Sequence, residues 1–235
     1  MFLKLKRFLL GSKNFFSSND IDYIFSKNTD QIILDIGTHS GFEIHDMLNL
    51  NTNLKIYAFE CDLKAIKVFK KIWKKHINSG KILLTEKAIS DKSGISIFYP
   101  SISKQSKKTE SSVEEWTMSG SIKEPKGHLN LHNVTFGEGV EVKTISLDEF
   151  YQTNLKNNMI DFIYADVNGG ERELINGGLK TLNSYTKYFY TEFDDNELYK
   201  DQPNLNWITN KLKNFKLKKI IKNNALFENF TLNEK

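Results

Sequence analysis

Four acids in this chain stand where an apolar run ends, and two of them open loops interrupted by glycine. Asp35 lies in Ile32-Ile33-Leu34-Asp35-Ile36-Gly37-Thr38-His39-Ser40-Gly41, and Glu60 ends Ile56-Tyr57-Ala58-Phe59. Asp166 opens Asp166-Val167-Asn168-Gly169-Gly170-Glu171, and Glu192 follows Tyr190-Thr191. A buried strand delivers the loop after it to the carboxyl edge of a parallel sheet, where open α/β sheets bind ligands. Gly37 and Gly41 let backbone approach such a ligand closely. A glycine loop paired with an acid at the end of the next apolar run implies a nucleotide-type cofactor.

The first loop reads D-x-G-x-x-x-G rather than G-x-G-x-x-G, so the middle glycine that serves a pyrophosphate is absent. An acid at the strand end repels a pyrophosphate but suits a cofactor with an ammonium group, such as the methionine part of S-adenosylmethionine. Glu60 could take a ribose diol through both carboxylate oxygens. His39, Ser40 and Gly41, with Cys61 after the ribose acid, complete the expected cofactor wall. The plain alternative is a strand, a turn and a helix capped by an acid.

Methyl transfer from a sulfonium is an in-line displacement, so the protein mainly positions the acceptor and excludes water. An alcohol acceptor must also lose its proton to a group within hydrogen-bond reach. Asp166, Glu171 and His128 are the expected candidates, with Trp116, Ser119, His132 and Glu192 as expected acceptor contacts. Glu171 has an equal alternative role, stabilising a helix N-terminus. His128 and His132 are spaced for one helix face, but Pro125 and Gly127 make a helix there doubtful, and no third ligand at a recognisable spacing supports a metal. No metal is expected. The G-x-S-x-G nucleophile pattern is absent.

These residues require an alternating β-α-β frame. Ser18-Asn19-Asp20 offers a cap for a short helix through Phe25, and the first strand is expected at Gln31 to Ile36. A helix to about Leu50, a strand at Leu54 to Phe59, a lysine-faced helix to about Asn78 and a strand near Ile82 to Ala88 complete one half. Ser101 to about Gly139 is a polar insertion of the kind that forms a substrate loop or lid. Ser146-Leu147-Asp148-Glu149 reads as a capping box after a strand at Val140 to Thr144. A strand from Met159 to Ala165, a short helix Glu171 to Ile175, a strand Tyr188 to Phe193 and a helix Leu205 to Leu212 follow. A closing strand pair, Leu217 to Ile221 and Ala225 to Phe230, ends the pattern. The organisation expected is an N-terminal helical extension, residues 1–30, before one domain over residues 31–235.

The 235 residues are 39% hydrophobic and 12% aromatic, enough for a real core. A single cysteine, Cys61, excludes an internal disulfide framework and fits a reducing compartment, hence a cytoplasmic location. The 33 basic and 29 acidic residues leave a net charge of +4, which is no nucleic-acid signature. Lys64, Lys67, Lys70, Lys71, Lys74 and Lys75 interleave with Ile66, Phe69, Ile72 and Trp73 as the solvated face of an amphipathic helix. No run reaches transmembrane length. Residues 1–10 could instead lie weakly on the inner face of an anionic membrane through Phe2, Leu3, Leu5, Phe8 and Leu9.

In order and spacing, Leu34-Asp35-Ile36-Gly37, Ala58-Phe59-Glu60, Ala88-Ile89-Ser90, Val142 to Asp148 and Ile160 to Glu171 resemble the FkbM-type S-adenosylmethionine-dependent methyltransferases. Trp116 to Ser121, Tyr190 to Tyr199 and Ala225 to Asn229 resemble a recurring subgroup. The resemblance implies a class I methyltransferase fold: an α/β, Rossmann-like, doubly wound seven-stranded sheet with its last strand antiparallel. It implies O-methylation of a hydroxyl, or phosphate-type oxygen, on a sugar, a surface glycan precursor or a small molecule. Carried over by position, Asp35 and Gly37 would line the methionine end of the cofactor, Glu60 the ribose, Ala88 and Ile89 the adenine, and Asp166 and Glu171 the reaction centre. Cys61 stands where the family usually has proline, and Asn168 where it usually has glutamate, which removes one potential base or metal ligand. The competing readings are a cofactor-binding interaction protein without catalysis and a nicotinamide-dependent oxidoreductase. The sequence leaves open whether the chain forms a homodimer.

Overall fold

The computed structural model describes residues 14–105 and 113–232. The central strands are short apolar runs: β1 (Gln31–Ile36), β2 (Leu54–Phe59) and β3 (Ile82–Thr85). The chain then builds β4 (Ala88–Ser90), β5 (Gly94–Phe98), β6 (Ser101–Gln105), β7 (Val113–Glu115), β8 (Val134–Phe136) and β9 (Val140–Ser146). It returns to the centre with β10 (Ile160–Ala165), β11 (Thr186–Glu192), β12 (Phe215–Ile221) and β13 (Asn224–Asn229). The seven-stranded sheet has the order β12-β13-β11-β10-β1-β2-β3. β11, β10, β1, β2 and β3 pair in parallel, while the last strand, β13, runs antiparallel to both neighbours. This is the expected α/β sheet with its closing hairpin.

β1 and β10 are almost wholly buried because both sheet faces are covered, so they lack polar alternation. One face packs Leu34, Ile36, Phe59, Ile163, Phe189 and Phe227 against the helices Leu147–Asn154, Leu179–Tyr185 and Leu205–Lys211. The other packs Ile33, Ile56, Phe162 and Tyr190 against the helices Phe42–Leu50 and Leu63–Asn78. The second helix buries Ala65, Ile66, Phe69 and Trp73, and its six lysines from Lys64 to Lys75 are exposed as expected. Ile72 is a correction: it falls on the lysine face and is 46% exposed.

Several boundaries differ from the sequence pattern. The strand expected at Ile82 to Ala88 breaks at Glu86-Lys87, and its second piece, β4, leaves the main sheet to pair with β9. A helix at Leu179–Tyr185 follows Gly177-Gly178, where only a helix end was expected. The capping box is half formed: Ser146 Oγ accepts from Glu149 N at 3.2 Å, but Glu149 turns to Ser93 Oγ, which itself accepts from Ser146 N. The insertion is no featureless loop. β6 pairs antiparallel with β7 and β8, and a helix does form at His128–His132.

In the N-terminal segment, Asn14 rather than Ser18-Asn19-Asp20 caps the helix Phe15–Ser18, its side chain accepting from Phe16 N and Ser17 N. A separate 3-10 turn spans Asp22–Ile24. Phe16, Ile21, Ile24 and Phe25 are buried in the second core, with Phe16 edge-on to Phe25 and Phe162. Residues 1–10, with the membrane-surface contact expected of them, lie outside the described residues. Among the described residues no helix is long and apolar enough to cross a membrane. Truncating a fully buried phenylalanine costs about 3–5 kcal/mol, so Phe16→Ala is expected to lower the unfolding free energy by that amount in a denaturant titration. An unchanged midpoint would show that residues 14–25 are a dispensable appendage.

Candidate functional site

The parallel register sets the site. Ile36 pairs with both Phe59 and Ala165, and Ala165 pairs with Thr191. One residue further on, Glu60, Gly37, Asp166 and Glu192 therefore stand in a line across four neighbouring strand ends. The ladder continues into this line, since Gly37 N donates to Phe59 O and Asp166 N to Ile36 O, each at 3.0 Å. Gly37 has a positive φ of 81°, and a Cβ there would come within 2.0 Å of Asp166 O. Only glycine fits this position, because the Asp166 backbone carbonyl occupies the space a side chain would need.

Beside Gly37 lies a cleft of about 80 Å³. Its walls contain Gly37, His39, Ser40, Glu60, Cys61, Ala88, Ile89 and Asp166, all expected from the sequence. Thr117, Met118, Gly120 and Ser121 of the insertion form the facing wall. That segment is pinned from both sides. His39 Nε2 lies 3.0 Å from Thr117 Oγ1, Ser121 Oγ donates to Asn168 O at 2.6 Å, and Tyr199 Oη donates to Ser119 O at 2.7 Å.

Glu60 is buried and organises the cofactor side. Its Oε1 accepts from Cys61 N and Asp62 N, and its Oε2 from His39 N, each at 2.8 Å. Burial lifts its carboxyl up to about 7, against the lowering effect of those three N–H groups. A carboxylate offers about four acceptor positions, so Oε2 retains one direction for a ribose hydroxyl rather than both oxygens serving a diol. Asp62 also caps the helix Leu63–Asn78 by accepting from Lys64 N. Burial and the flanking Glu60 and Asp62 carboxylates push the Cys61 thiol up, so it is a wall residue and no nucleophile.

Other expected site residues sit behind the walls. Asp35 is 1% exposed and turns away from the cleft; its Oδ2 accepts from Thr38 Oγ1 at 2.5 Å, and burial beside Glu43 lifts it to about 8. Gly41 starts the helix Phe42–Leu50 at a φ of 72°, where a Cβ would strike Trp73. Glu171 is 1% exposed, accepts from Gly169 N at 3.3 Å and is lifted to about 8 by burial. It braces the Asp166 to Gly170 loop from below. Glu192 hydrogen-bonds Asp166, and burial with the Asp166 charge holds its carboxyl well above the usual carboxylate range.

The insertion residues divide differently from expectation. His128 packs edge-on against Tyr199 and Phe136, with ring centroids 4.7 and 5.5 Å away. Burial and His132 lower it to about 4, so it is a neutral core imidazole outside the cleft walls. His132 lies beside it with the rings tilted at 53° and centroids 5.3 Å apart, outside the walls as well. Trp116 and Ser119 bond to each other, Nε1 to Oγ at 2.9 Å, and support the facing wall rather than line it. Glu43, Asp62, Lys87, Phe98 and Val167 line the cleft without having been singled out from the sequence. Glu43 lies in the first turn of the helix after the first glycine loop, which is the signal that could have found it. Among the described residues no cluster of metal-ligating side chains is present.

The buried carboxyls give the fold a pH dependence of definite sign. Asp35, Glu60 and Glu171 hold protons when folded that the unfolded chain releases well below neutrality, so their contribution is complete at low pH and is lost as pH rises through about 7 to 8. His128 acts oppositely, but only below its unfolded value of 6.5. The unfolding free energy of the cofactor-free protein, and with it the melting temperature, is therefore expected to fall between about pH 6.5 and about pH 8, by roughly one kcal/mol per pH unit for each group still protonated in the folded chain. A flat or rising profile in that window would contradict the burial of these acids.

The Methyltransferase FkbM domain family matches residues 35–218. A 2-O-methyltransferase, NoeI, from Sinorhizobium fredii (strain NBRC 101917 / NGR234) is 35% identical over 193 residues, spanning 80% of this chain and 73% of that protein. The crystal structure of Methyltransferase FkbM from Methylobacillus flagellatus KT superposes with a TM-score of 0.53 at 9% identity, covering 86% of this chain. The chain spans 44% of the length of that structure, and the likeness supports the fold alone. The cleft fits the family's cofactor, S-adenosylmethionine: a buried carboxylate with one acceptor position left for a hydroxyl, and Ala88 and Ile89 as an apolar wall. These matches set aside the nicotinamide reading, and the chain belongs to the FkbM methyltransferase family as an S-adenosylmethionine-dependent enzyme.

Proposed function

We propose that this methyltransferase acts on a hydroxyl oxygen of a sugar, in a glycan or a smaller carbohydrate. The observation that carries the reading is the 35% identity to a 2-O-methyltransferase over most of both chains. A base at the cleft supports it, because an alcohol must shed a proton whereas an already anionic oxygen need not. Asp166 is the group at the cleft wall best suited to take that proton.

When bound, S-adenosylmethionine supplies a methyl carbon made electrophilic by its sulfonium. The chain's own residues then have two tasks. Glu60 fixes the cofactor's ribose while its three backbone donors hold the His39 and Cys61-Asp62 turns in place. Asp166 accepts the acceptor's hydroxyl proton as the new carbon–oxygen bond forms and the carbon–sulfur bond breaks, leaving a neutral thioether. Glu192 shares a hydrogen bond with Asp166, and burial with the Asp166 charge raises its carboxyl. Glu171 is a positioning residue, holding Gly169 N and so the loop that carries Asp166. The wall Thr117 to Ser121 excludes water on the side away from the sheet.

Two outcomes follow. Asp166→Asn is expected to lower kcat by about 10²–10⁴-fold, the usual worth of a positioned base, with cofactor affinity changed far less; a fully active variant would remove Asp166 from the chemistry. Glu60→Gln places an amide against N–H donors, and titration calorimetry should find S-adenosylmethionine binding weaker by about 10- to 100-fold, the worth of a charged hydrogen bond. Mass spectrometry of glycans from cells with and without the gene tests the acceptor class. Loss of one methyl increment from a sugar supports the reading, and unchanged glycans with intact methyl-donor binding would end it.

A further inference from the structure

We infer that Glu43 receives the α-ammonium group of S-adenosylmethionine, the task that the family resemblance gives to Asp35. A cation taken out of water needs a charged or hydrogen-bonding partner, and a carboxylate at the cleft wall is the one that suits an ammonium. Asp35 is not at that wall. It is 1% exposed and its Oδ2 accepts from Thr38 Oγ1, while four other acids do line the cleft: Glu43, Glu60, Asp62 and Asp166. Three of these have tasks. Glu60 accepts three backbone N–H groups on the ribose side, and Asp62 caps the helix Leu63–Asn78 through Lys64 N. Asp166 is reserved for the acceptor's proton, and the inference rests on that assignment. Glu43 remains, in the first turn of the helix Phe42–Leu50, which opens directly after the first glycine loop.

The position agrees with the cofactor's length. Ala88 follows β3, Glu60 follows β2, Gly37 follows β1 and Asp166 follows β10, so the cleft runs along the strand ends in the order β3-β2-β1-β10. Neighbouring strands lie about 4.8 Å apart, so an adenine at the β3 end and a ribose at Glu60 put the amino-acid tail roughly 10 to 15 Å from the adenine, at β1 and β10. Glu43 stands at that end. Burial raises Asp35, Tyr164 and Tyr190, on β1, β10 and β11, and the Glu43 charge adds to the rise in each; the Asp166 charge acts on the same three. Asp62 acts instead on Glu60 and Cys61, just past the end of β2. Glu43 and Asp166 therefore border one end of the cleft, and Asp62 lies beside the ribose position. An acid in a first turn also suits the positive end of its helix, a structural role that the experiment has to separate from binding.

Two stable ligands isolate the ammonium: S-adenosylhomocysteine, which carries it without the sulfonium charge, and the desamino analogue of S-adenosylhomocysteine, which carries neither. Titration calorimetry measures each against the purified full chain, wild type and Glu43→Gln. The substitution is expected to weaken S-adenosylhomocysteine by about tenfold or more, the worth of a charged hydrogen bond, and to leave the desamino analogue unchanged or tighter. Only a group facing the ammonium produces that difference, because a weakened helix or a distorted cleft would weaken both ligands alike. Equal weakening of both, or of neither, would overturn the inference and leave the base assignment standing. Asp166→Asn is expected to change the two ligands by the same small factor. An ammonium-dependent loss in Asp166→Asn, with none in Glu43→Gln, would give the ammonium to Asp166 and end both assignments together.

Discussion

The site depends on the register of the parallel ladder joining β2, β1, β10 and β11. Because paired residues in neighbouring strands stand side by side, one register decides four positions at once, and here they are Glu60, Gly37, Asp166 and Glu192. A shift of one residue would turn every side chain to the opposite face. The strands hold against such a shift because both faces are buried, with Ile33, Phe162 and Ile56 committed to one core and Leu34, Ile163 and Phe59 to the other. The cleft is thus the open end of a packing arrangement whose stability comes from apolar burial on both sides of the sheet.

That arrangement concentrates acids where water is scarce. Burial raises the carboxyls of Asp35, Glu60 and Glu171. Three backbone N–H groups serve Glu60, while Thr38 Oγ1 and Gly169 N reach only one oxygen each of Asp35 and Glu171; Asp35 Oδ1 and Glu171 Oε2 are buried without a partner. The insertion completes the enclosure. It is attached at Thr117 to the cofactor loop through His39, and at Ser121 to the Asp166 loop through Asn168 O. One five-residue segment is therefore held by both sides of the cleft that it covers. Asn168 suits this place, since its φ of 50° is one that asparagine adopts more readily than most residues.

Much of the frame was legible in the residues themselves. The apolar runs ending at Ile36, Phe59 and Ala165 name the central strands, and the lysine-faced helix shows in its spacing, because strand and helix periods are local properties. The insertion was legible as an interruption but not as structure. β6, β7 and β8 are short, and β6 is held between β7 and a β8 some thirty residues further on, which no local pattern reports. The break at Glu86-Lys87 escaped for a related reason: Ala88 to Ser90 reads as a continuation of β3, and only its partner β9 draws it away.

The sequence by itself determined the chemistry available: a D-x-G loop without a pyrophosphate fingerprint, an acid ending the second strand, and an acid opening a second glycine loop. These are consequences of residue type and order. Tertiary structure alone decided which of those groups share a space. Asp35 and Glu171, the same residue types as Asp166 and Glu60, are turned into the protein, and His128 is sealed among aromatic rings. The direction of a side chain at a strand end is set by the pleat and by what packs beneath it, and both are properties of contacts between segments distant in the chain.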